Sequence, residues 1–165
     1  MIFIKTNKKA RELTLSAVIA ALYVCLTFVS GMFGLSSGVI QLRLSEAMCI
    51  LPAFTAAAVP GLFVGCVISN LLAGGVVIDV VFGSIATLIG AVGTRLIGKK
   101  HPILALIPPI LANTVIIPFV LRYAYGAPDA LIFMFFTVGL GEVLSCGVLG
   151  ALLGGAMKKA VEKSD

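Results

Sequence analysis

The sequence carries little charge and few of the side chains on which most enzymes and nucleic-acid-binding proteins depend. Asp, Glu, Lys and Arg make up 12% of its 165 residues, where an ordinary soluble domain has roughly 25%. His101 is the single histidine, and it precedes Pro102 in a short basic loop, where solvation is its simplest role. The cysteines Cys25, Cys49, Cys66 and Cys146 each stand alone in an apolar run. Without a CxxC or a Cys/His cluster they read as buried thiols, which argues against a metal centre and against a secreted disulfide scaffold. No His-Glu-x-x-His helix occurs, and no catalytic residue and no cofactor are assigned. Gly93-Thr-Arg-Leu-Ile-Gly98-Lys99 imitates a phosphate-binding loop, but Lys100 stands where a magnesium-binding Ser or Thr is needed. The net charge is +5. Its basic residues are divided between the tails and one loop, so no basic face forms for nucleic acid.

What the sequence has in abundance is apolar surface. Hydrophobic residues make up 60% and the mean hydropathy is +1.17, too apolar for the surface of a small soluble globule. Stretches able to cross about 30 Å of hydrocarbon are expected at 13–34, 45–58, 61–75, 78–97, 103–121 and 130–157, with the second and third short for full spans. A loop containing Ser36, Ser37 and Gly38 follows the first span and reaches Arg43. The first apolar run is too long for a cleaved signal peptide, and five more follow it. Six spans place both termini on one side. That side collects Lys5, Lys8, Lys9, Arg11, Arg95, Lys99, Lys100, Lys158, Lys159 and Lys163, leaving Arg43 and Arg122 opposite. Positive charge marks the cytoplasmic face. The expectation is an all-α integral membrane protein: a single six-helix domain over 1–165, with cytoplasmic tails at 1–12 and 158–165.

Ionisable groups inside a bilayer cost about 2.5–3.5 kcal/mol each, so those within the spans need a reason. Glu12 and Glu162 lie among lysines in the flanks. Glu46, Asp79 and Glu142 lie in or at the ends of spans, with Asn70 and Asn113 as amide companions. At about 1.5 Å per helical residue, Asn113 sits roughly 12 Å and Glu142 roughly 18 Å below the outer face. All of them fall in the outer half or the middle. With Arg43 they are expected to line one outward-facing cavity. A plainer reading is glue between helices, with amides bonding across spans and Glu46 neutralised by Arg43. A carboxylate that accepts two adjacent N–H donors suits a guanine-like edge, and a second suits an ammonium group. Phe33, Phe82, Phe135 and Phe136 are candidates to stack on a flat ring. Small residues at helical spacing form pairs at Ser16/Ala20, Ala17/Ala21 and Gly61/Gly65, and a run at Gly147/Ala151/Gly155. Such faces let helices approach closely.

The stretches Gln41-Leu-Arg-Leu-Ser-Glu-Ala47, Leu51-Pro-Ala-Phe54, Pro60-Gly-Leu-Phe-Val-Gly65, Asn70-Leu-Leu-Ala-Gly-Gly75 and Asp79-Val-Val-Phe-Gly-Ser-Ile-Ala-Thr-Leu88 together resemble one family. They are similar to the substrate-binding (S) components of energy-coupling factor (ECF) transporters, and among those to the QueT type linked to queuosine precursors. The resemblance implies a six-helix protein of the bacterial plasma membrane that captures a micronutrient from outside and has no ATPase activity of its own. It implies partners: a transmembrane T protein and two ABC-type ATPases, reached through an Ala-x-x-x-Ala face that Ala17 and Ala21 match. The implied solute is a 7-deazaguanine in its aminomethyl or cyano form, or queuine. Arg43, Glu46, Asn70, Asp79, Asn113 and Glu142 would bind it, with no decision on which acid takes which edge. An S component for another vitamin, an intramembrane enzyme pairing Asp79 with Glu142, and a homo-oligomeric carrier are the alternatives.

Overall fold

The computed structural model describes residues 7–35, 40–98 and 100–163. Ser36, Ser37, Gly38, Lys5 and Lys99, on which part of the sequence reading rests, lie outside them. Every regular element among the described residues is helical: α1 (Lys8–Met32), a 3-10 segment (Leu44–Ala53), α2 (Ala58–Leu72), α3 (Val77–Gly98), α4 (Ile107–Tyr123), α5 (Leu131–Glu142) and α6 (Gly150–Glu162). A π-helical stretch, Val143–Leu149, joins α5 to α6. Among the described residues, helices long and apolar enough to cross a membrane number four: Lys8–Met32, Val77–Gly98, Leu104–Tyr123 and Leu131–Ala160.

The two short elements differ from the sequence expectation in kind and in length. The second apolar stretch is a 3-10 helix of 10 residues, and α2 has 15. At rises of about 2.0 Å and 1.5 Å they extend only roughly 20 Å and 22 Å. Pro52 inside the 3-10 segment cannot donate a backbone hydrogen bond. Phe54 instead bonds back to the Leu51 carbonyl at 2.9 Å. The segment is the hub of the bundle, burying Ser45, Glu46, Met48, Cys49, Ile50 and Pro52 against its neighbours. α1 also starts earlier than expected. The Asn7 side chain accepts from the Lys9 amide at 3.2 Å and caps the helix, so residues 8–12 continue the first span as helix.

Small residues set the helix contacts. A Cβ on Gly61 would sit 2.8 Å from the Ser16 carbonyl, and one on Gly65 2.8 Å from Tyr23 Cβ. The Ser16/Ala20 side of α1 therefore packs on α2, leaving Ala17 and Ala21 exposed. Gly90 and Gly93 of α3 lie against Pro109 and Pro108 of α4, and Gly98 against Ala53. The glycines of the apparent phosphate loop are thus packing residues. The run expected at Gly147, Ala151 and Gly155 is only partly used. Gly147 meets Ile110, but nothing lies within 4 Å of a Cβ on Gly155, and Gly150 and Gly154 take the contacts with Leu106 and Ile50. A π turn holds one residue more than an α turn, so it shifts the buried face onward.

Side-chain bonds fix the two ends of the bundle. Ser16 Oγ donates to the Ala57 carbonyl at 2.8 Å and Arg95 Nη1 to the Pro52 carbonyl at 3.1 Å. Lys8, Lys9, Arg11, Arg95, Lys100, Lys158, Lys159 and Lys163 belong to this end by topology. At the other end Ser30 Oγ accepts from the Leu44 amide at 2.8 Å. Arg122 Nη1 donates to the Ala127 carbonyl at 2.8 Å. Gly74, at φ +75, makes the tight return from α2 towards α3.

Candidate functional site

The sequence-predicted residues come together at the end of the bundle away from the lysines, but in two adjoining compartments. An inner chamber of about 30 Å³ is lined by Arg43, Glu46, Asn113 and Glu142, with Gln41, Cys66, Gly83 and Thr87. It has room for one or two water-sized groups. An outer vestibule of about 560 Å³ is lined by Arg43, Asn70, Asp79 and Tyr125, with Thr27 and Phe28 from α1. That volume lies within the usual range for small-molecule pockets. Arg43 belongs to both and forms their common wall.

Each acid has a different surrounding. Glu46 is 3% exposed. It accepts from the Tyr23 hydroxyl at 2.5 Å and from the Cys49 thiol at 3.0 Å. Three residues per turn stack Cys49 directly over Glu46 in the 3-10 segment, and Gly65 lets Tyr23 pack close enough to reach it. Asp79, in the first turn of α3, accepts from the Tyr125 hydroxyl at 2.7 Å. That phenol also lies 3.4 Å from the Val76 amide, which donates to it. Burial, and then the bond to Asp79, push the Tyr125 pKa above its ordinary value, so the hydroxyl stays protonated and donating at neutral pH. Glu142 ends α5, where the π stretch begins. Asn113 lies beside its carboxylate in the inner chamber, and Glu142 Oε2 is buried with no protein partner.

Arg43 lies within electrostatic reach of Glu46, Asp79 and Glu142. Among the described residues the one ion pair within 4.0 Å is Lys158–Glu162, so the Arg43–Glu46 pair suggested by their spacing does not form. The backbone before Arg43 is held against the α5–π junction. A Cβ on Gly141 would collide with the Gln41 carbonyl, and the Arg43 amide donates to Ser145 Oγ at 3.1 Å. Asn70 is 5% exposed and reaches Cys66 Sγ at 3.6 Å. Gly83 marks the junction of the compartments: a Cβ there would lie 3.2 Å from both Asn70 Nδ2 and Asp79 Oδ1.

None of the stacking candidates lines either compartment. Phe33 and Phe136 are exposed, Phe82 borders an apolar groove on α3 and α4, and Phe135 packs edge-on to Phe119. Phe28 and Tyr125 take that place. Tyr23 was the most legible omission, since a phenol midway along an apolar helix needs a partner. Asp79 and Glu142 line different compartments, and the acid that lies near Glu142 is Glu46, so the carboxylate pair imagined for an enzyme is not assembled.

The family model for the QueT transporter matches residues 13–159. The chain belongs to the QueT transporter family. With several helices long and apolar enough to cross a bilayer, this QueT-family chain is a multi-pass protein of the cell membrane. The queuosine precursor transporter QueT of Lactococcus lactis subsp. cremoris (strain MG1363) is 36% identical to it over 83 residues, 50% of this chain and 48% of that protein. The chain thus spans about half the length of that curated relative. No solved structure gives a significant match.

Proposed function

We propose that this chain is the S component of an ECF-type importer. It captures a queuosine precursor, a 7-deazaguanine in its aminomethyl or cyano form or queuine, from outside the cell. It passes the solute to a T protein and two ABC-type ATPases, which would hydrolyse the ATP. The six apolar stretches cross or enter the bilayer as one domain with both termini cytoplasmic, a reading supported by the basic residues gathered at one end. The observation that carries the reading is the polar inner chamber opening beside a larger vestibule at the end opposite those residues. The bicyclic ring lies in the vestibule, and its polar edge enters the chamber past Arg43. Asp79 and Asn70 hold the part left in the vestibule, including an aminomethyl ammonium. Glu46, Asn113 and Glu142 meet the inserted edge.

Calorimetric titration of the purified protein with 7-aminomethyl-7-deazaguanine tests this, with guanine and thiamine as controls. Tight one-to-one binding, weak guanine binding and none for thiamine are expected. Heat with thiamine but no deazaguanine would transfer the chain to another vitamin. Turnover of a peptide or lipid would favour an enzyme, and a stable oligomer that binds nothing a carrier.

Gly83→Ala adds a methyl at the junction of the compartments. One methylene in a shaped pocket changes binding by roughly 10-fold to 200-fold, and the lower figure applies here because the Asn70 amide can shift. Affinity about tenfold lower, in a protein with near-parental thermal stability, is the expected outcome. Unchanged affinity would place the ligand elsewhere.

A further inference from the structure

We propose that Glu142 selects the solute by its paired donors, taking the ring N–H and the adjacent exocyclic amine. This rests on the deazaguanine reading above and decides a point that reading leaves open. Each acid at the site can be asked which of its oxygens a protein group already serves. Both Glu46 oxygens are taken, one by the Tyr23 hydroxyl and the other by the Cys49 thiol. The Asp79 Oδ2 is taken by Tyr125. Glu142 Oε2 is buried without a protein partner, and the residue lines the inner chamber. A buried oxygen left without a donor is unfavourable and rare in a folded protein. At this position it is an acceptor for a donor that arrives with the ligand.

Its surroundings favour one edge pattern. Asn113 lines the chamber beside the same carboxylate. Arg43 lines the same chamber and brings a fork of donors and no acceptor. The chamber therefore offers acceptors on the Glu142 side and donors on the Arg43 side. A guanine-like edge has the complementary order of amine donor, ring N–H donor and carbonyl acceptor. A narrow chamber suits such an edge, because only the rim of a flat ring has to enter.

The test compares 7-deazaguanine with 7-deazahypoxanthine, which lacks the exocyclic amine, by calorimetry on the purified full chain. In the parent, loss of a hydrogen bond to a charged acceptor is expected to weaken binding roughly 10-fold to 100-fold. Glu142→Gln replaces one acceptor by a donor that opposes the ligand's own. It should lower 7-deazaguanine affinity and bring the two ligands within about threefold of each other. If that variant is not monodisperse, Glu142→Asp keeps the charge one methylene short, and its discrimination should fall between the two. Equal binding of both ligands by the parent overturns the assignment. So does discrimination that survives Glu142→Gln but collapses in Glu46→Gln. Failure of the parent to bind any 7-deazaguanine overturns the functional reading itself, and the assignment with it.

Discussion

Gly65→Leu is expected to unfold the α1–α2 interface at temperatures where the parent is intact. The smallest side chain at this position already places a Cβ 2.8 Å from Tyr23 Cβ and 3.0 Å from the Ala20 carbonyl. Neither neighbour can swing aside, because one is held at the root of its side chain and the other is helix backbone. Inserting bulk into a packed contact costs typically 1–3 kcal/mol, so a leucine here should cost about 3 kcal/mol. The effect should spread to the site. Tyr23 donates to Glu46, and pushing α1 away from α2 draws the phenol off that carboxylate. Gly155→Ala is the contrast: nothing lies within 4 Å of its Cβ, and exchanging Gly for Ala in a helix is worth about 1 kcal/mol of stabilisation. Thermal unfolding in detergent should separate the two variants in opposite directions. A Gly65→Leu protein as stable as the parent would show that the close α1–α2 approach is not needed.

The long spans were readable because their signal is long. An apolar run of twenty residues tolerates errors of a few positions at each end: α3 lies within one residue, and α4 within four, of the limits expected from sequence. Hydropathy starts α1 too late because Lys8, Lys9, Arg11 and Glu12 look like a solvated tail, although Lys, Arg and Glu are good helix formers. The 3-10 segment was not readable as such. Over ten residues an apolar pattern barely distinguishes three residues per turn from 3.6, and Pro52 was the one local sign against an ordinary helix. The π stretch is equally silent in sequence. Its consequence is the exchange of Gly155 for Gly154 on the buried face.

The site was legible as a set and illegible as an arrangement. Arg43, Glu46, Asn70, Asp79, Asn113 and Glu142 stand out because polar groups are scarce in this chain, and topology brings them to one end. Depth alone suggested a single cavity, whereas Arg43 and the junction at Gly83 divide it. The division depends on which hydroxyl reaches which carboxylate. Tyr23 lies 23 positions before Glu46, and Tyr125 lies 46 after Asp79; separations of that size carry no local signal. The sequence also offered Arg43 as a counter-ion for Glu46 on spacing. The 3-10 geometry gives Glu46 to Cys49 and Tyr23 instead, and leaves the guanidinium between the two compartments.

The double variant Ala17→Leu, Ala21→Leu should abolish uptake while leaving ligand binding intact. Both residues are exposed on α1, and α1 is the least buried of the long helices. Two other small residues of the same helix face α2 and the turn before it: Ser16 bonds the Ala57 carbonyl and packs on Gly61, and Ala20 faces Gly65. Packing within the chain therefore does not explain why Ala17 and Ala21 are small, whereas a second helix pressed against them would. If each leucine costs the docked complex about 1–3 kcal/mol, the pair weakens docking by roughly 30-fold or more. Neither position lines the inner chamber or the vestibule, so under the proposed function deazaguanine affinity should remain within about twofold of the parent, well under 1 kcal/mol. Uptake in cells that carry the partner subunits, read beside calorimetry on the purified protein, distinguishes the outcomes. Loss of uptake with binding retained supports a docking face at Ala17 and Ala21. Uptake that survives both leucines would move the partner contact to another side of the bundle.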